Sequence, residues 1–155
     1  NVIRDLSQIE EDEPRFYHFY QRYLQILAVL GTINLEEKEL RAKIQDILGL
    51  SPIDEERIIA RLVEFGLIEK YSIIIRISYE FIADYIIIKH FFNPKTKDAD
   101  YQQQIIEPFF NLKPKEILTN LAEVEFKSES LEARKLLQRK LNELRRAINQ
   151  EGNLF

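Results

Sequence analysis

The chain contains no cysteine, no methionine and no tryptophan, and only four glycines. Without cysteine there is no disulfide, no thiolate metal site and no cysteine nucleophile. That composition suits a reducing compartment and sets the cytoplasm as the expected location. Four glycines leave little material for a loop that cradles phosphate, and G-x-x-x-x-G-K-[ST], G-x-G-x-x-G and G-x-S-x-G are all missing. The only histidines, His18 and His90, fall in different expected helices without the spaced companions of a metal site. Apolar runs such as Ile73-Ile74-Ile75 and Ile86-Ile87-Ile88 are far shorter than the roughly 20 residues that span a bilayer. The expectation is a chain with no catalytic residue, no metal and no cofactor of its own, and with no membrane partner. Lack of methionine, with Asn1 in first place and no charged-then-apolar leader, also makes a piece of a longer protein the expected origin.

What is present is a composition that folds. Hydrophobic residues are 45% and charged residues 31% of 155, enough apolar material for a core and too much for intrinsic disorder. The formal charge is uneven: residues 1–93 sum to -5 and residues 94–155 to +1. The first of these segments is the acidic one.

Residues 1–13 read as a polar lead-in ending in Glu10-Glu11-Asp12-Glu13, carboxylates that favour the positive end of a following helix. Pro14 takes the first helical turn, and apolar residues at 16, 20, 23, 24, 27 and 30 predict an amphipathic helix stopped by Gly31. Phe16, Tyr17, Phe19, Tyr20 and Tyr23 cover more than one face of it, which reads first as a helix at the centre of a bundle and otherwise as a binding surface. Asn34, with Glu37 three residues on, predicts the cap of a second helix whose inner face is Leu40, Ile44, Ile47 and Leu48, closed by Gly49. Ser51, Pro52 and Asp54 start a third, with Ile58, Ile59, Leu62, Val63 and Phe65 inward and Gly66 at its end. So short a connection forces a steep crossing, the helix-turn-helix arrangement. Residues 67–70 and 74–78 then read as a short β-ribbon turning at Tyr71, Ser72 and Ile73. Ser78 is the expected cap of a fourth helix to about Phe92, with Phe81, Ile82, Tyr85, Ile88 and Phe92 on one face.

The order helix, helix, ribbon, helix predicts a mainly α fold: a winged helix-turn-helix with a short β-hairpin wing, followed by a C-terminal helical segment. The boundary falls in the turn-rich residues 93–98, giving a lead-in (1–13), a winged-helix domain (14–93) and a C-terminal region of about three helices (94–155). Those helices are read at 99–110, interrupted by Pro108, at 114–126 and at 129–149.

A helix-turn-helix raises duplex DNA as a partner, but the third helix sets Arg57 and Arg61 against Asp54, Glu55, Glu56 and Glu64, and the wing adds only Lys70. Phosphate neutralisation dominates such binding, so nucleic acid is disfavoured here. The acidic pairs Glu36-Glu37 and Glu55-Glu56 sit at helix starts, where the dipole accounts for them. The last helix differs: Arg134, Lys135, Arg139, Lys140, Arg145 and Arg146 surround an apolar face of Leu137, Leu141, Leu144 and Ile148. It is the candidate contact for an acidic partner or a nucleic acid, and a solvated basic face is the simpler reading.

The run Arg76-Ile77-Ser78-Tyr79-Glu80-Phe81-Ile82-Ala83-Asp84-Tyr85, continued by Ile88-Lys89-His90-Phe91-Phe92, resembles the stretch that ends the winged helix of bacterial STAND NTPases, switch ATPases that include NACHT proteins. Val63-Glu64-Phe65-Gly66-Leu67-Ile68 is similar to that family's helix-glycine-strand junction, a pattern that other winged helices share. The likeness covers roughly residues 20–92. It implies an ATPase core N-terminal to this chain as the partner domain, and C-terminal helices that begin a sensor or effector region, often in antiviral defence. In that family a histidine at the strand-to-helix junction approaches the ADP phosphate; the matching residue here is Tyr79, which brings no positive charge. Arg76 and Ser78 are then the residues left to contribute to a nucleotide-state contact. The reading is a non-catalytic regulatory and protein-interaction segment. Its alternatives are a transcription-factor-like module using the basic C-terminal helix, and a free-standing adaptor for protein assembly.

Overall fold

The computed structural model describes residues 14–91 and 99–128, together with helical positions 131, 134, 135, 138, 139, 142, 143 and 146. The lead-in and the turn-rich residues 93–98 lie outside the described residues. Helix α1 (Pro14–Leu30) comes first, then β1 (Thr32–Asn34), α2 (Lys38–Leu48) and α3 (Pro52–Glu64). The wing strands β2 (Ile68–Tyr71) and β3 (Ile74–Ile77) follow, and α4 (Glu80–Phe91), α5 (Ala99–Phe110) and α6 (Pro114–Ser128) complete the order. The protein is a mainly α winged helix-turn-helix with a short hairpin wing and a C-terminal helical segment.

Helix α1 is the axis of the core. Every residue from Tyr23 to Leu30 is buried, and the helix touches α3, α4, α5, α6 and the sheet. The aromatic cluster divides accordingly: Tyr20 and Tyr23 are buried, Tyr17 and Phe19 half-buried, and Phe16 is 39% exposed. Gly31 ends α1 at φ +82°, with its N–H donating to the Leu27 carbonyl at 2.8 Å. A side chain there would also collide, because an added Cβ would lie 2.9 Å from Asn120 Nδ2.

The chain leaves Gly31 as a strand, which the sequence reading did not anticipate. β1 pairs antiparallel with β3, Ile33 opposite Ile75, giving a sheet of order β1-β3-β2. Three residues with one apolar position carry no period; only the β3 ladder makes them a strand. Asn34 therefore does not cap α2. Its Oδ1 accepts from the Glu36 N–H at 2.9 Å and its carbonyl from the Glu37 N–H at 3.0 Å, a turn that delays the helix to Lys38. Ser51 does cap α3, accepting from the Asp54 N–H at 3.1 Å, with Pro52 behind it. The wing closes in a two-residue turn in which Ser72 has φ 55°. Its tip is tied back, the Leu35 N–H donating to the Ile73 carbonyl at 2.7 Å.

Glu55 corrects the helix-dipole reading given to its acidic pair. It is fully buried, and its carboxylate accepts from Tyr23 Oη at 2.7 Å, Arg41 Nε at 2.7 Å and Gln45 Nε2 at 2.8 Å. Arg41 Nη1 also donates to the Leu35 carbonyl at 2.9 Å. One carboxylate thus joins α1, α2 and α3, setting the helix-turn-helix crossing. Burial, and next the adjoining Glu55 charge, push the Tyr23 phenol well above its ordinary value, so it stays a donor.

Helix α4 turns a different face inward from the one the sequence suggested. Ile82, Ile86 and Ile87 are buried, whereas Phe81, Tyr85 and Ile88 are 62%, 44% and 40% exposed. The polar residues of α4, Glu80, Asp84, Lys89 and His90, are spread around the helix and leave no clean apolar stripe, so periodicity does not choose a face; docking on α1 does. The helix also begins at Glu80, two residues past Ser78, whose N–H instead donates to the Leu67 carbonyl at 2.9 Å. On α3, Ile58, Ile59 and Leu62 are buried but Val63 is 39% exposed.

The C-terminal helices share the winged-helix core. Ile105, Ile106, Phe109 and Phe110 of α5, and Ile117, Leu121 and Val124 of α6, join the same buried cluster as α1. Each such side chain stabilises the fold by roughly 1.5–3 kcal/mol. That burial offsets Pro108, which costs about 3 kcal/mol in a helix interior and here lies inside an unbroken α5. Polar ties add register: Asn120 Nδ2 donates to the Val29 carbonyl at 2.8 Å, and Lys113 Nζ meets Glu37 Oε2 at 2.8 Å. Among the described residues no helix is long and apolar enough to cross a membrane.

Candidate functional site at the wing-to-helix junction

Strand β3 and the start of α4 carry the three residues singled out for a nucleotide-state contact. Arg76 stands on the solvent side of β3, opposite Thr32 on one strand and Glu69 on the other. Its Nε donates to Glu69 Oε2 at 3.1 Å, and its guanidinium lies 5.1 Å from the Tyr71 ring centroid. Tyr71 Oη donates to the same Glu69 oxygen at 3.0 Å. The hydrogen bond to Glu69, reinforced by Tyr71, holds Arg76 above its usual value. Its charge is thus engaged across the sheet.

Arg76 and Ser78 open onto one cleft of about 420 Å³ between β3, α4, α6 and the end of α1. Tyr79 does not line it. Its ring is 53% exposed and stacks on Phe81 at 5.6 Å and 28°. The structure therefore brings two of the three residues together and sets the third on the outer surface, beside the apolar stripe of Phe81, Tyr85 and Ile88.

Apolar side chains make up much of the cleft, but its other charged groups are acidic, a feature the sequence reading missed. Glu80, Asp84 and Glu123 line it. Lys127 of α6 reaches across, Nζ lying 2.6 Å from Glu80 Oε1 and 3.1 Å from Asp84 Oδ2. Hydrogen bonding from Lys127 lowers the Glu80 pKa, and the hydrogen bonds to Glu80 and then Asp84 raise that of Lys127. The spacing of Glu80 and Asp84 by four was the available signal, because it puts both carboxylates on one helix face. Three carboxylates against Arg76 and Lys127 leave the cleft with a net negative formal charge, which disfavours phosphate. Among the described residues no group of histidines and carboxylates could hold a metal ion. His18 is exposed, edge-on to Phe19 at 5.8 Å, and His90 is half-buried.

The second candidate surface is partly described. Arg134, Lys135, Arg139 and Arg146 are helical and exposed, with Arg134 Nε 3.2 Å from Glu125 Oε1. Lys140 and Arg145 lie outside the described residues. On the helix-turn-helix, Arg61 Nη1 bonds Glu64 Oε2 at 2.9 Å. No known protein family, curated protein or solved structure matches the chain.

Proposed function

We propose that this chain is a regulatory, non-catalytic segment of a STAND-like NTPase of the cytoplasm, in which the winged helix relays the nucleotide state of an N-terminal ATPase core to the C-terminal helices. The observation that carries this reading is the surface just behind the wing. Tyr79, just before α4, stacks on Phe81, and Phe81, Tyr85 and Ile88, spaced by four and three along α4, are exposed large side chains on one side of it. An apolar surface of this kind is typical of a contact with another protein domain. The cleft beside it, with Arg76 and Ser78, would receive polar groups from the same domain.

Helix α4 is packed on both α1 and α6, and Lys127 ties its first turn to α6. A shift of α4 would reach the C-terminal helices through packed side chains, which supports a relay within one body. Antiviral defence belongs to this proposal only through the family resemblance.

Two measurements test it. The parent reading frame is expected to encode a P-loop and an acidic Walker B strand upstream, and Phe81→Asp with Tyr85→Asp in that parent is expected to change nucleotide turnover or release. A mobility shift on duplex and single-stranded DNA is expected to show no binding. Steeply salt-dependent binding, abolished by neutralising Arg139, Lys140, Arg145 and Arg146, would sink the proposal in favour of the nucleic-acid module.

A further inference from the structure

We infer that the groove between α1 and α3 is a binding site for an aliphatic monocarboxylate, a molecule with an unbranched apolar tail and one anionic head. The inference is independent of the parent assembly, because every residue it uses lies in this chain.

The groove encloses about 290 Å³. Its floor and walls are apolar: Phe16, Phe19 and Tyr20 from α1, Leu50 from the connection, and Ile58 from α3. Its mouth is open beside Gly49, where an added Cβ would meet nothing within 4 Å. Gly49, the left-handed C-cap of α2, and Leu50 separate α2 from the α3 start at Ser51 and Pro52, and Gly49 and Leu50 both line the groove. Sites for small ligands commonly combine such apolar walls with a few polar groups that fix orientation.

Arg57 supplies the orienting group. It is exposed at the rim, its guanidinium 6.0 Å from the centroid of the Phe16 ring, and it pairs with no carboxylate among the described residues. Arg61, on the same lining, is already engaged, bonded to Glu64 and lying 4.6 Å from the Phe65 ring centroid. Asp54 is the one acid of the lining. It sits in the first turn of α3, where the helix dipole offsets its charge. An anionic head is therefore favoured at Arg57, where a guanidinium offers a carboxylate two parallel donors. The tail then runs over Phe16 and Phe19 toward Ile58.

The test uses the full chain, isotope-labelled, titrated with hexanoate, octanoate and decanoate and with decylamine as the cationic counterpart. Amide shifts at Phe19, Gly49, Leu50 and Ala60 are expected to saturate, with affinity rising roughly fourfold per methylene. Arg57→Gln is expected to weaken octanoate about tenfold. Ala60→Phe fills the groove from an exposed position of α3 and is expected to abolish binding while the remaining spectrum is unchanged. Equal or tighter binding of decylamine, no dependence on tail length, or binding that survives Ala60→Phe would each overturn the inference.

Discussion

Glu55 gives the sharpest quantitative test of how the fold is held. Glu55→Ala leaves Tyr23 Oη, Arg41 Nε and Gln45 Nε2 without their shared acceptor, in a position of no solvent exposure. Removing one member of a buried ion pair costs about 3–5 kcal/mol, because the partner stays buried without compensation. The phenol alone adds a desolvation cost of roughly 1–3 kcal/mol, which is not additive with the first. The expected loss is therefore about 4 kcal/mol, a large part of a typical domain's stability. Tyr23→Phe removes one donor and leaves Arg41 and Gln45 on the carboxylate, so its expected cost is about 1 kcal/mol. Urea unfolding followed by circular dichroism reads both, with the slope checked for constancy. The Glu55→Ala loss should also persist in 1 M salt, since buried pairs are screened far less than exposed ones. A loss under about 1 kcal/mol, or one that salt erases, would show that Glu55 is not the pin joining α1, α2 and α3.

Other expectations follow from single contacts. Gly31→Ala meets both a positive φ and Asn120, whereas Gly49→Ala meets a positive φ in open space. The second should cost about 1 kcal/mol and the first clearly more, with Asn120→Ala recovering part of the difference in a thermal melt. Gln25 is 2% exposed and its Oε1 is buried with no hydrogen-bond partner among the described residues, so Gln25→Met should be neutral or stabilising by about 1 kcal/mol in urea. The depressed Glu80 contributes stability above the ordinary carboxylate value that is lost as pH falls through its folded one. The thermal midpoints of Glu80→Gln and the parent should thus differ at pH 7 and converge in acid. Lys127, held high, stays charged across that window and contributes no slope of its own.

Much of the fold is legible along the chain. Pro14, Gly31, Gly49, Ser51 with Pro52, and Gly66 punctuate it where the helices begin and end, because capping satisfies backbone groups within a few residues of the cap. The wing is legible too, its β-branched residues flanking a two-residue turn at Ser72 and Ile73. Legibility fails where a residue's role depends on a distant partner. Asn34 has the composition of a helix cap, yet Ile75 and Ile74 across the sheet make it the end of a strand. Glu55 has the position of a dipole-stabilising acid, yet Tyr23, 32 residues away in the chain, takes its carboxylate into the core. At the candidate site Arg76 and Ser78 were readable as junction residues, but Lys127, 47 and 43 positions from Glu80 and Asp84, was not.

By itself the sequence determined the class of the fold: a mainly α winged helix whose helices, turns and short ribbon are written in local period and caps. Tertiary structure decided which surfaces are buried and which are offered. It placed Ile82, Ile86 and Ile87 inward and left Phe81, Tyr85 and Ile88 outside, and it brought α5 and α6 onto the same core as α1. The reason is physical. An amphipathic pattern selects a face only when polar residues mark the other one, and on α4 they do not. There the choice falls to the neighbours that happen to supply matching apolar area.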